Sequence, residues 1–181
     1  MKNLPLTLSL IGSAALLAQS SYGALFSADF DTDQTANWAV NSNYGGATNS
    51  ANIFFDYSTV GIPSAPNSTG GSTRGIKLGA NLLGVATPGL AGISVSPIGQ
   101  SFTGNYTLKF DWWHNFIGGT TGGLGNSAGG SGSTQISTFG IRTSGTTANY
   151  AGVADSVFFG ATGDGASATD FRAYADRKSV V

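Results

Sequence analysis

Between Asn105 and Ile117 the chain reads NYTLKFDWWHNFI, its longest uninterrupted alternation and the place of two of its three tryptophans. At the period of two that a strand imposes, Tyr106, Leu108, Phe110, Trp112 and Phe116 point one way. Thr107, Lys109, Asp111, Trp113 and Asn115 point the other. This pattern predicts a central strand with one dry face, and an opposite face that is polar yet carries an indole.

The remaining segments are read around that strand. Leu25 to Asp33 alternates Phe26, Ala28 and Phe30 with Ser27, Asp29 and Asp31, as a first or edge strand would. Residues 52–60 (NIFFDYSTV) alternate imperfectly and run into the turn-rich GIPSAPNSTGGST, where Pro63 and Pro66 break pairing. Short strands are expected over 74–79, 92–96, 135–142, 156–160 and 169–175. Asp164-Gly165 forms a hairpin turn between the last two. No segment sustains a capped helical period, so the fold class is all-β. Residues 118–134 (GGTTGGLGNSAGGSGST) form a low-complexity loop that cannot pack a core. They lack the Lys of a phosphate loop.

Composition narrows the functional classes. The 181 residues suffice for one domain with a core, and 40% hydrophobic content places the chain among globular proteins. Only 9% of residues are charged, well under the roughly 25% usual in soluble domains. Gly, Ser, Thr and Asn take their place. Residues 24–175 hold eight Asp against five Lys and Arg, a net charge of −3. No basic patch exists to neutralise phosphates, which argues against nucleic acid as a partner. There is no Cys, hence no disulfide, thiolate metal site or cysteine nucleophile. All nine acidic residues are Asp.

Residues 1–23 place Lys2 before an apolar run from Leu4 to Ala18 and then small polar residues, the tripartite pattern of a signal-peptide helix. Cleavage is expected after Gly23 or Ala24, with Ser20 as another option. The run is shorter than the roughly 20 residues that span a bilayer, and no segment of the mature chain is apolar enough to span. The expected location is therefore secreted, extracellular or at the cell surface. Residues 24–175 form the predicted domain. The last six residues, DRKSVV, differ in composition from all before them and are what a common short-read sequencing adapter encodes in frame. They read as a non-native tail over 176–181, with the natural chain continuing past Ala175.

At F-x-x-D-F-D-T-D-x-x-x-N-W, and again at Y-T-L-x-F-D-W-W, the chain resembles the secreted concanavalin A-like lectin/glucanase (LamG-like) domains common in bacterial surface proteins with a PEP-CTERM sorting tail. The resemblance spans roughly residues 25–175. It implies an antiparallel β-sandwich of jelly-roll type, with any ligand on the concave face or the rim loops. No Pro-Glu-Pro sorting motif occurs in the sequence, so anchoring belongs to the expected continuation. Laminarinase-type members use two Glu flanking a strand Asp, a pair that a chain without Glu cannot supply. An Asp pair, Asp111 with Asp29 or Asp56, is the remaining route to glycoside hydrolysis.

His114, the only histidine, lies three residues from Asp111. No G-x-S-x-G elbow nominates a nucleophile, and His114 is expected as a strand-end histidine bonded to backbone. Trp113 with Asp111, Asn115 and Lys109 is the candidate ligand-binding face, since aromatic rings stack on sugars while carboxylate and amide groups meet hydroxyls. The alternative is that the Gly-rich loop or a second sheet covers Trp113. Trp38, Tyr44 and Tyr57 are expected in the core or at the rim. Asp29, Asp31 and Asp33, on one face at period two, form a candidate Ca²⁺ site, with solvated strand residues as the alternative. An EF-hand is excluded because Gln34 and Val40 stand where its Gly and Glu belong.

The functional expectation is a non-catalytic module binding a polysaccharide, cell-surface glycan or matrix component. A structural or adhesive module without a small-molecule ligand comes second, and a divergent glycoside hydrolase third.

Overall fold

The computed structural model describes residues 24–45, 48–82, 91–114, 136–141, 144–148, 156–162, 171–175 and 178–179. The segment 1–23 read as a signal peptide, the Gly-rich stretch 118–134, Asn115 and the expected turn at Asp164-Gly165 lie outside the described residues. Within them regular structure is almost wholly strand: β1 (Trp38–Ser42), β2 (Ser50–Asp56), β3 (Arg74–Gly79), β4 (Ile93–Pro97), β5 (Ile136–Ile141), β6 (Val157–Thr162), β7 (Phe171–Ala175) and β8 (Lys178–Ser179). Two short 3-10 turns, Thr35–Asn37 and Tyr57–Val60, complete the set. The protein is all-β, and every ladder is antiparallel.

The strands form three sheets, β1-β4, β2-β3 and β5-β6-β7-β8. In the first, Trp38, Val40 and Ser42 oppose Pro97, Val95 and Ile93, while Ala39 and Asn41 oppose Ser96 and Ser94 on the other face. Residues 144–148 settle on that polar face. Asn41 Nδ2 donates to the Gly145 carbonyl at 2.8 Å and Ser94 Oγ to the Thr147 carbonyl at 2.6 Å. Trp38 gathers Phe26 and Phe30 at ring separations of 5.8 and 5.9 Å, and Phe102 links Phe26 to Tyr106.

The imperfect alternation of residues 52–60 has a structural cause. Asn52 pairs with Lys77 and Phe55 with Gly75, so β2 carries one extra residue at a β-bulge. Asn52 Oδ1 accepts the Phe54 N–H at 3.0 Å within it. The bulge lets adjacent rings serve different cations: Phe54 lies under the Arg74 guanidinium at 4.5 Å and Phe55 under the Lys77 ammonium at 4.1 Å.

Beyond β2 the chain closes into a 3-10 turn capped by Asp56, which accepts the Ser58 N–H at 3.1 Å. The turn ends at Gly61, in the left-handed region at φ 74° that glycine enters without a Cβ penalty. Buried Asn49 joins the two small sheets. Its Nδ2 donates to Ser42 Oγ and the Gly92 carbonyl, both at 2.9 Å, and its Oδ1 accepts the Asn81 N–H at 3.0 Å.

In the third sheet Phe139 faces Phe159 across the ladder and their rings stack, 5.9 Å apart with 23° between planes. On the other face the Phe158 ring lies over Gly140, in the space any Cβ there would need.

Two expected strands are not formed among the described residues. Residues 106–114 make no ladder, and the face predicted to be dry is open: Leu108, Phe110 and Trp112 are about half exposed; on the opposite face Trp113 is 61% exposed. Alternation sets which way side chains point from an extended backbone, whereas a strand also needs a neighbour to take its N–H and C=O groups. Residues 106–114 have none among the described residues. The Leu25–Asp33 strand is likewise absent, because Phe30 sits at φ 58° and reverses the extended course on which the period-two reading depends.

Candidate functional site

The extended segment 106–114 runs between two parts of the molecule. On one side Asp111 reaches the 61–73 loop, where its Oδ2 accepts the Asn67 N–H at 2.9 Å and its Oδ1 the Asn67 Nδ2 at 2.7 Å. On the other side Phe110 meets Phe139 edge-to-face at 5.0 Å, and Trp112 lies 6.3 Å from the same ring. The even and odd positions therefore do part company as the alternation predicts, without a ladder.

Among the expected binding residues, Asp111 clamps a neighbouring loop and Lys109 stands exposed. No ring packs on exposed Trp113 among the described residues. Asn115 falls outside those residues. The Gly-rich loop expected as a cover for Trp113 lies outside the described residues, and no described strand packs on Trp113.

The concave feature of this region is on the opposite side, in the Trp112 direction. A groove of about 290 Å³ runs across β6 and β7. Its construction follows from register: Phe159 faces Ala173 and Ala161 faces Phe171, so each large ring has a small partner and the two alanines form a floor. Trp112 and Phe139 wall one end, and Gly160 and Arg172 complete the lining. Phe159 is 45% and Phe171 74% exposed, so the rings present themselves to solvent. Sequence reading reached these residues only as members of short strands. The signal that locates the groove is the offset alternation of Phe and Ala on two adjacent strands, which acquires meaning only when the register is known.

His114 stands beside the groove, its ring 5.3 Å from Trp112. Its Nδ1 is buried without a hydrogen-bond partner, so the expected backbone bond is not made there, and no carboxylate orients the ring through that nitrogen. Burial lowers its pKa below the usual imidazole value. The ring is accordingly neutral at pH 7, an uncharged neighbour for the indole.

The three carboxylates of the calcium expectation take separate tasks. Asp29 Oδ1 accepts the Asp31 N–H at 3.1 Å, Asp31 packs its carboxylate against Gly70, and Asp33 Oδ1 accepts the Thr35 N–H at 2.9 Å and Oγ1 at 2.6 Å. The shared strand face is not formed. Among the described residues no three His, Cys, Asp or Glu side chains gather as a metal ion requires.

Among the described residues Asp56 is the most heavily used acid. Its Oδ1 accepts from Ser58 N and Oγ and from Thr73 Oγ1 at 2.8 Å, and its Oδ2 lies 3.4 Å from an Arg74 guanidinium nitrogen. The Ser58 and Thr73 hydroxyl bonds hold its pKa below the ordinary carboxyl value. Among the described residues no helix is long and apolar enough to cross a membrane.

Comparison with protein-family models, with curated proteins and with solved structures yields no match.

Proposed function

We propose that the protein is a non-catalytic extracellular module that binds a polysaccharide, cell-surface glycan or matrix component, built as a jelly-roll β-sandwich to which the three antiparallel sheets belong. The observation that carries this reading is the open aromatic groove, where Trp112, Phe139, Phe159 and Phe171 gather around a floor of alanines and Trp112, Phe159 and Phe171 stand exposed. Rings presented this way stack on the C–H faces of sugars, and an open groove admits a chain rather than a compact metabolite. Export follows from the signal-peptide pattern of residues 1–23. The absence of Glu, the single His and a His114 Nδ1 without a carboxylate partner support binding without hydrolysis. Trp113, Lys109 and Asp111 border the same segment, and in this reading they act at the rim.

Co-sedimentation of the full chain with insoluble cell-wall and matrix polysaccharides tests the proposal, with released reducing sugar measured in the same tubes. Binding without sugar release is expected, weakened by Trp112→Ala. Retention by none of the polysaccharides would overturn the reading. Release of reducing sugar would favour the divergent hydrolase.

A second reading, a structural or adhesive surface module, is favoured by one feature: exposed apolar side chains continue beyond the groove to Phe110 and Leu108. It predicts attachment to protein-coated surfaces that Trp112→Ala leaves unchanged.

A further inference from the structure

From Thr107 to Trp113 seven consecutive residues are exposed, and none belongs to a ladder. The segment is anchored at two places. Tyr106 packs on Phe102 at 5.8 Å, and further on Phe110 meets Phe139 while Asp111 grips Asn67. Between these anchors Thr107, Leu108 and Lys109 make no hydrogen bond, ion pair or ring contact with described residues.

An endopeptidase takes its substrate in this form. The chain enters the cleft as an added strand, its N–H and C=O groups pair with the enzyme, and side-chain pockets choose the bond. Backbone held in a ladder offers those groups only after it opens, at a cost in free energy. Exposed, unpaired backbone offers them directly.

The side chains select one bond within the segment. Arg74, Lys77, Lys109, Arg142 and Arg172 are the basic residues between 24 and 175. Arg74 and Lys77 lie in β3 and over the Phe54 and Phe55 rings, Arg172 lies in β7, and Arg142 falls outside the described residues. Lys109 stands exposed outside any strand, where the acidic specificity pocket of a trypsin-like enzyme can take its ammonium. Topology then separates the products: β1 to β4 precede Lys109, β5 to β8 follow it, and no ladder joins the two sets. Hydrogen bonds across the cut remain, from Asn67 to Asp111, from Asn41 to the Gly145 carbonyl and from Ser94 to the Thr147 carbonyl.

We propose that the Lys109–Phe110 bond is a limited-proteolysis site, at which an extracellular serine endopeptidase selective for basic residues converts the protein into a two-chain form that keeps its three sheets. The enzyme's serine takes the Lys109 acyl group, and Phe110 leaves as an amine that gains a proton. Water then releases Lys109 as a carboxylate. Export brings the bond to such enzymes, and glycan binding plays no part.

The test treats the full native chain with a trace of trypsin and follows intact masses. The first cut between residues 24 and 175 is expected after Lys109, about tenfold or more ahead of any other there. Far-ultraviolet circular dichroism should be unchanged and the two chains should co-elute in gel filtration. Lys109→Gln should remove this cut, and urea below the unfolding transition should leave its rate unchanged relative to a small chromogenic substrate. A first cut after Arg74, Lys77, Arg142 or Arg172 would overturn the inference. So would a rate that climbs with urea in step with unfolding, because cleavage would then pass through the unfolded chain. Loss of strand signal on cleavage, or separation of the two chains, would overturn the two-chain form.

Discussion

At the scale of single residues, Asn49 is the most consequential polar group in the described structure. It is 5% exposed and joins the end of β1, the approach to β4 and the exit from β3 through three hydrogen bonds. Asn49→Ala leaves the Gly92 carbonyl and the Asn81 N–H without their partner, and unmade buried bonds cost about 1–3 kcal/mol each. Chemical denaturation is expected to show a loss of that order, whereas exposed Asn52→Ala should lose less. His114 sets a pH dependence. Its folded pKa lies below the unfolded value of about 6.5, so the unfolded chain binds more protons as pH falls through that window. Stability should be at its plateau above the unfolded pKa and decline below it. Melting temperatures from pH 8 to pH 5 should show this slope, and His114→Gln should flatten it.

At the scale of elements, the 3-10 turn after β2 and the 61–73 loop are held by carboxylates rather than by a core. Asp56 caps the turn and ties it to Thr73 and Arg74, while Asp111 grips the loop at Asn67. The folded pKa values of Asp56 and Asp33 are depressed, in each case first by side-chain hydroxyl bonds. Their contribution is present above the unfolded carboxyl value of about 3.9 and is lost as pH falls through the folded values. Amide exchange at Asn67 is expected to accelerate in Asp111→Ala, with little change at β5 or β6. In the third sheet Gly140→Ala is the sharpest test of packing. The added methyl meets the Phe158 ring, and overpacking of this kind costs about 1–3 kcal/mol. A smaller loss would mean that Phe158 swings away freely.

At the scale of the whole molecule, apolar surface is distributed unusually. Ile53, Ala161 and Tyr174 are the buried apolar residues among those described, whereas Phe110, Trp112, Trp113, Phe159 and Phe171 stand open. Exposed aromatic patches mark sites of interaction, and here they concentrate beside and within the groove. The native protein should therefore enhance the fluorescence of an apolar dye without denaturant. A Phe159→Ser/Phe171→Ser double variant should lose much of that signal. Persistence of the full signal would place the dye elsewhere and weaken the case for the groove as the principal apolar surface.

Several levels of this structure were legible in the residues themselves. Strand propensity and turn chemistry are local, so β3 falls at its predicted bounds and β4 to β7 fall within two residues of theirs. The lack of Glu and Cys and the low charge restrict chemistry in any fold. Alternation also told truly that Phe110 and Trp112 part from Asp111. It could not tell that residues 106–114 lack a hydrogen-bonded neighbour among the described residues, since pairing is a property of two segments and period two describes one. For the same reason alternation drew attention to Trp113, on the polar side of that segment, and not to the groove on the other side, where the β6/β7 register sets phenylalanine against alanine. Asn49 was hidden in a loop of similar Asn, Ser and Gly residues, and its three partners come from distant parts of the chain. Local composition determined the class of structure and the chemistry excluded from it; long-range pairing decided which side chains meet and which surface they present.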